Sequence, residues 1–197
     1  MTILSEDYYQ NPDVLFLSRN LLGKYLLTNI SGVLTGGMIV ETEAYRAPED
    51  KASHAFGNRR TKRNEVMYHK GGIGYVYLVY GLHYLFNIVT NVEGIPHAVL
   101  IRAITPEIGT QEMMKRRGKD KLDNTLCKGP GSVAQALGIT ISHNGMSLDK
   151  PPIWVEDRGI LIKDEEIISG PRVGVDYAEE HALLPWRFQT NKGKKIK

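Results

Sequence analysis

The chain has 197 residues, 42% apolar and 24% charged, with a formal net charge of +3 and a single cysteine. That length suits one domain of the usual size, roughly 100–200 residues, and the composition is that of an ordinary globular protein. The lone Cys127 excludes an intramolecular disulfide and a thiolate metal cage, which points to a reducing compartment.

The first residues carry neither the basic nor the apolar run of a signal peptide. No later stretch approaches the ~20 apolar residues of a membrane span. Asn11-Pro12-Asp13 reads as an N-cap followed by proline at the first helical position, opening a helix over 14–22 that stops at Gly23. Strands are predicted over 24–30 and 34–45 around a Ser31-Gly32 turn, the second bent at Gly36-Gly37. Residues 46–73 hold Pro48, Gly57, Gly71 and Gly72 with little periodicity, a long loop of the kind that is usually functional or disordered. An apolar hairpin over 75–87 follows, then a central strand over 98–104 and a helix opened by Thr105-Pro106 that ends near Gly118. A short helix over 131–137 stops at Gly138, and short strands are predicted over 153–155 and 172–175. The pattern predicts a mixed α/β (α+β) fold: one domain over 1–190 with a curved, mainly antiparallel sheet, flanking helices and a protruding β-hairpin. Residues 191–197 read as a Lys-rich flexible tail.

The tip of the hairpin is the least ordinary position. Tyr80-Gly81-Leu82-His83 places large groups where turns normally collect Gly, Asn, Asp and Ser, which suggests a contact site. On the preceding strand Glu41, Glu43 and Tyr45 share one side because side chains alternate. Two carboxylates that close repel, so one should have a raised pKa or a cationic partner. Arg102, the one charge in Val99-Leu-Ile-Arg102-Ala103, would be costly to bury unpaired; facing one of these carboxylates resolves both problems, and a purely structural salt bridge accounts for the same pattern. His54 reads equally as a hydrogen-bonded scaffold residue. Glu41, Glu43 and His54 match no metal-binding spacing, and Gly71-Gly72-Ile-Gly74 precedes a strand rather than a helix, so it is not a phosphate-cradling loop. No cofactor is expected. Tyrosines are favoured in strands and most of the six between 45 and 84 fit packing roles. Tyr45, His54 and Tyr77 nonetheless supply flat surfaces near an acid, suited to a planar ligand such as a nucleobase.

Charge is unevenly spread. Residues 192–197 contain four of the 25 basic residues and no acid, leaving 21 basic against 22 acidic residues before them. Within the body, Arg59, Arg60, Lys62 and Arg63 form one basic island and Lys115, Arg116, Arg117, Lys119 and Lys121 another. Such islands suit a polyanion or a solvated face.

Taken together, Ile39-Val-Glu-Thr-Glu-Ala-Tyr45, Pro48-Glu49-Asp50, His54, Arg63-Asn64, Tyr75-Val-Tyr77, Tyr80-Gly81, Asn87-Ile88, Leu100-Ile-Arg102-Ala103, Gly129-Pro130 and Pro171-Arg-Val-Gly174 resemble the alkyladenine (3-methyladenine) DNA glycosylase family, from about residue 12 to Phe188. The resemblance implies a DNA repair glycosylase that flips an alkylated or deaminated purine from duplex DNA; with no catalytic lysine obvious among the site residues, a monofunctional enzyme that leaves an abasic site is expected. It implies Glu43 as the base that activates water and Arg102 beside that water. Tyr45 would stack on one face of the flipped base, with His54 and Tyr77 on the other. Asn87 would exclude the 2-amino group of guanine, and Tyr80 would fill the gap in the duplex. Separately, the charge clustering leads to an expectation of phosphate contacts from Arg59, Arg60 and Arg63 and from the basic residues of 115–121. The expected partner is double-stranded DNA containing damaged purines, not a membrane, and the expected state is a monomer. The expected location is the bacterial cytoplasm beside the nucleoid, or the nucleus in a eukaryote. Residues 139–152 and 156–170 match the family poorly, and no basic N-terminal arm is present. A recognition module for distorted DNA, without chemistry, is the alternative.

Overall fold

The computed structural model describes residues 1–192. A ten-stranded sheet runs in the order β1-β8-β2-β3-β6-β5-β4, with β10 and β9 added beside β3 and β7 beside β8. The elements are β1 (Thr2–Ile3), α1 (Glu6–Tyr9), α2 (Val14–Asn20), β2 (Tyr25–Ile30), β3 (Val33–Arg46), β4 (Gly74–Val79), β5 (His83–Thr90), β6 (His97–Ile108), α3 (Thr110–Arg117), α4 (Pro130–Leu137), β7 (Asp149–Lys150), β8 (Ile153–Asp157), β9 (Ile167–Gly170) and β10 (Arg187–Thr190). Every strand pair is antiparallel. The predicted α+β class, antiparallel sheet and hairpin are therefore all present.

Three sequence expectations need correction. The cap of α2 is Asp13, not Asn11: its Oδ1 accepts the N–H groups of Leu15 and Phe16 at 2.9 and 3.0 Å, and Pro12 lies outside the helix. Thr105-Pro106 does not open a helix; β6 runs on to Ile108, with Thr105 opposite Met38 and Pro106 opposite Gly37. Residues 172–175 form a bend rather than a strand.

β3 is the axis of the molecule. Along one edge it pairs with β6 from Gly36 to Arg46; along the other it pairs with β2 up to Met38 and then with β10 at residues 41–43. Alternation divides its neighbours into two faces. Ala44 of β3, Val76 of β4, Phe86 and Ile88 of β5, and Val99 and Ile101 of β6 join the main core, where Met113 of α3 and Val133 and Leu137 of α4 also pack. The intervening residues face the other way, and those positions make the site.

Two register shifts flank Glu41. Ile39 pairs with Ile104, Glu41 with Ala103 and Thr42 with Ile101, so Val40 and Arg102 are extra residues on opposite strands. Paired bulges of this kind bend the sheet and re-aim side chains locally. A further shift falls at Gly36/Gly37, where a Cβ on Gly37 would run into the Thr105 carbonyl. Gly37→Ala should therefore cost about 2–3 kcal/mol of unfolding free energy, measured by denaturant titration, because the obstacle is backbone and cannot rotate aside.

Candidate active site

A cavity of about 580 Å³ opens on the non-core face, lined among others by Tyr45, His54, Tyr77, Asn87 and Arg102. These come from β3, the 46–73 loop, β4, β5 and β6, so alternation on four strands converges on one space. Glu43 does not line the cavity. It is fully buried behind the lining, where Oε1 accepts the Val173 N–H at 2.8 Å and Oε2 accepts the Tyr45 hydroxyl at 2.8 Å. Arg102 Nη1 stands 3.4 Å from Glu43 Oε1, while Arg102 Nε donates to Glu41 Oε1 at 3.0 Å. Arg187 adds a second guanidinium to Glu41 at 3.2 Å. Arg102 thus meets both carboxylates, with Glu41 as its closer anchor.

Burial pushes the Glu43 carboxyl above the usual carboxylate range; Arg102, the Val173 N–H and the Tyr45 hydroxyl pull the other way, and Glu41 makes only the smallest contribution. The repulsion between paired carboxylates expected from sequence is therefore the lesser cause, because Glu41 is held by two arginines. Burial also raises the Tyr45 hydroxyl well above its ordinary pKa, with Glu43 as the next cause.

His54 Nδ1 shares a 2.8 Å hydrogen bond with the Tyr75 hydroxyl, and its ring meets Tyr77 at 4.6 Å and 69°. At that angle only one of the two rings can lie parallel to a planar ligand. Burial, then Arg63 and Arg59, lowers His54 to about 4, so the imidazole is neutral at physiological pH. Asn87 is buried and donates Nδ2 to the Tyr75 carbonyl at 3.2 Å.

Tyr80 crowns the hairpin at 93% exposure, with Leu82 at 76%. Tyr80 and Gly81 have φ of 51° and 70°, and the Leu82 N–H donates to the Val79 carbonyl at 3.0 Å. This is the tight hairpin turn in which both central residues are left-handed and Asn-Gly is preferred.

The basic islands divide. Arg60 is taken up by Glu65 through Nε and Nη2. Arg63 donates to the Leu78 carbonyl at 3.2 Å and lies over the Tyr77 ring; among the described residues neither Arg59 nor Arg63 has a carboxylate partner. Much of the second island is spent internally: Arg116 on Glu112 and the Ala136 carbonyl, Arg117 on the Leu126 carbonyl, Lys119 on Asp123. Lys192 pairs with Glu166 at 2.9 Å; the rest of the basic tail lies outside the described residues. Cys127 packs near Met113 with its thiol pushed up to about 12 by burial.

Sequence reasoning missed several participants. Tyr177 lines the cavity mouth and donates to the Ala52 carbonyl at 3.2 Å. Buried Asn64 closes the loop by donating to the His54 and Arg59 carbonyls and accepting from Thr61. Asp50 and Arg172, both fully buried, form a bidentate pair at 2.5 and 2.8 Å. Polar residues in irregular segments look solvated in a sequence, so none of these carried a signal beyond the strings Glu49-Asp50, Arg63-Asn64 and Pro171-Arg172.

A family model described as methylpurine-DNA glycosylase matches residues 7–194. The chain belongs to the methylpurine-DNA glycosylase family. It is 50% identical to a relative from Chlamydia felis over 98% of this chain and 100% of the other, and 46% identical to one from Chlamydia pneumoniae over 94% of each. A relative from Bacillus cytotoxicus is 44% identical over 91% of this chain and 92% of its own. All three are named "Putative 3-methyladenine DNA glycosylase". The resemblance drawn from the short motifs thus extends across the chain, and glycosylases of this family are hydrolases.

Two stability outcomes follow from the site. Arg172→Met strands the Asp50 carboxylate and should cost about 3–5 kcal/mol in denaturant unfolding, with part recovered on adding Asp50→Leu. Tyr80→Asn relieves a left-handed tyrosine and should raise the melting temperature by about 2–4 °C, since the exposed ring has little packing to lose.

Proposed function

We propose that this glycosylase everts a damaged purine nucleotide from double-stranded DNA, hydrolyses its N-glycosidic bond with water and leaves an abasic site. The observation that carries this reading is the fully buried Glu43 carboxylate, held by Arg102 and the Val173 N–H directly behind the lining of an aromatic cavity whose wall includes Arg102. A base inside a duplex cannot enter such a cavity, so the nucleotide is extruded at a cost of a few kcal/mol, least for a damaged base. Tyr80 fills the vacated stack and returns part of that cost. Tyr45 covers one face of the base, and His54 with Tyr77 bounds the other. Asn87 stands at the purine edge and excludes an exocyclic amine.

In the chemical step the glycosidic bond breaks with its electron pair passing to the purine nitrogen. Water adds at the sugar carbon, and Glu43 accepts the proton. The carboxylate also stabilises the positive charge that develops on the sugar. Arg102, anchored by Glu41, holds the water beside Glu43. The described cavity lining contains no lysine, which supports a monofunctional enzyme rather than one that forms a Schiff base with the sugar. Borohydride treatment during turnover should trap no covalent adduct.

Glu43→Gln should abolish base release from a duplex carrying one damaged purine while leaving DNA binding intact; equal release by both proteins would assign the base elsewhere. The alternative of a recognition module predicts lesion-selective binding with no release by either. The pH dependence has a definite sign. With a cationic methylated purine, which needs no leaving-group proton, release should fall about tenfold per pH unit below the Glu43 pKa, a midpoint above the ordinary 4.5. Stability runs oppositely. The folded state binds this proton more tightly than the unfolded chain, so the Glu43 contribution is fully present below the unfolded pKa and lost as pH rises through the folded one.

A further inference from the structure

Arg187 stands directly opposite Glu43 in the pairing of β10 with β3, where facing side chains of opposite charge ordinarily meet. Its guanidinium turns elsewhere. Nη1 donates to Glu41 Oε1 at 3.2 Å and Nε to the Pro171 carbonyl at 2.8 Å. Arg102 Nε donates to that same Glu41 oxygen at 3.0 Å, while Arg102 Nη1 lies 3.4 Å from Glu43 Oε1. One carboxylate oxygen thus carries two guanidiniums, and one of the two also reaches the buried Glu43. Arg187 is not among the residues that line the cavity; whatever it does for the reaction passes through the residues it holds.

The sharing has a direction. With Arg102 as its single partner, Glu41 would draw that guanidinium wholly to itself. Arg187 offsets part of the pull and leaves Arg102 divided between Glu41 and Glu43. It also bonds the residue just before Arg172-Val173. Arg187 therefore touches both supports of Glu43 Oε1, the anchor of Arg102 and the segment that presents the Val173 N–H. The other titratable or charged groups around Glu43 are Tyr45 on its own strand, Tyr77 on β4, and Tyr177 and Arg172 in the C-terminal segment. The three tyrosine hydroxyls are raised by burial and stay neutral, and Arg172 is matched by Asp50. The net charge that Glu43 meets is then set by Arg102, Glu41 and Arg187.

We infer that Arg187 is a positioning residue for the hydrolytic step: by sharing Glu41 with Arg102 it keeps the Arg102 guanidinium within reach of Glu43 and of the water that Glu43 activates. This rests on the glycosylase reading and adds to it a residue outside the cavity on which the rate depends.

The test follows single-turnover base release across pH from a duplex carrying one cationic methylated purine, with DNA affinity measured alongside. Arg187→Gln removes the charge. Arg102 should then swing to Glu41, and the acid-side midpoint of release should rise by about one pH unit, while affinity changes less than about twofold because the cavity wall is untouched. Arg187→Lys, which keeps a cation on Glu41, should restore the midpoint. Glu41→Gln should move it the opposite way, since Arg102 is freed toward Glu43 and a neighbouring negative charge is gone. In the Glu41→Gln background, Arg187→Gln should alter release by less than about twofold, because its effect passes through Glu41. A melting temperature lowered by Arg187→Gln with the midpoint unmoved would reduce Arg187 to a structural strut and overturn the inference. Equal shifts with and without Glu41 would overturn it too, by making Arg187 act on Glu43 directly. Failure of the glycosylase reading is seen separately, as absence of release by the wild type at every pH.

Discussion

The ion pair between Arg172 and Asp50 ties the C-terminal bend to the end of β3 and the loop that follows it, 122 residues earlier in the chain, and the geometry around Glu43 depends on that tie. Desolvating two charges costs several kcal/mol per ion unless the remaining hydrogen-bonding capacity is met. Here it is nearly met. Arg172 also donates to the Ala44 and His181 carbonyls, and Asp50 also accepts from the N–H groups of Ala52 and Arg46; only Arg172 Nε lacks a partner. The guanidinium lies over the Tyr45 and Trp186 rings. One pair therefore sets the exit of β3, the start of the 46–73 loop and the C-terminal bend. Val173 follows directly on Arg172, which is how its N–H comes to meet Glu43.

The four charges nearest the cavity floor share unequally. Glu41 accepts from Arg102 and Arg187 at 3.0 and 3.2 Å, while Glu43 has one guanidinium at 3.4 Å and no solvent. Unequal sharing makes Glu41 an anchor for Arg102 and leaves Glu43 a single, more distant guanidinium, too little to offset the burial that raises its carboxyl above the usual range. The bulges at Val40 and Arg102 produce this inequality, because they set where Arg102 reaches between the two carboxylates.

What could be read from the sequence was whatever obeys a local period. Alternation correctly placed Glu41, Glu43 and Tyr45 on one side and Tyr75 with Tyr77 on another strand's matching side. The Gly36-Gly37 bend and the Tyr80 tip were legible because glycine pairs and large apolar turn residues are unusual. Thr105-Pro106 misled because proline normally ends a strand; here it is tolerated where a register shift opposite Gly37 relaxes the ladder. Arg172 was missed because its partner is 122 residues away, and no period reports a long-range ion pair. Arg60 and Arg116 read as parts of basic islands, suited to a polyanion or a solvated face, because sequence shows charge without showing that Glu65 and Glu112 pair with it.

The conformational and electrostatic costs of this protein gather at one place. Tyr80 occupies a left-handed position that costs a tyrosine about 1 kcal/mol, Leu82 is exposed beside it, and Glu43 is buried with a weak partner. Each raises the free energy of the empty protein. A base stack over Tyr80 would cover the ring, and positive charge developing on a sugar at the cavity floor would give Glu43 the counter-charge it lacks. Functional sites commonly hold such conflicts while the surrounding fold supplies the stability that permits them. In this protein that support comes from the Arg172–Asp50 pair and the helix-covered core, which together keep the cavity formed before any ligand arrives.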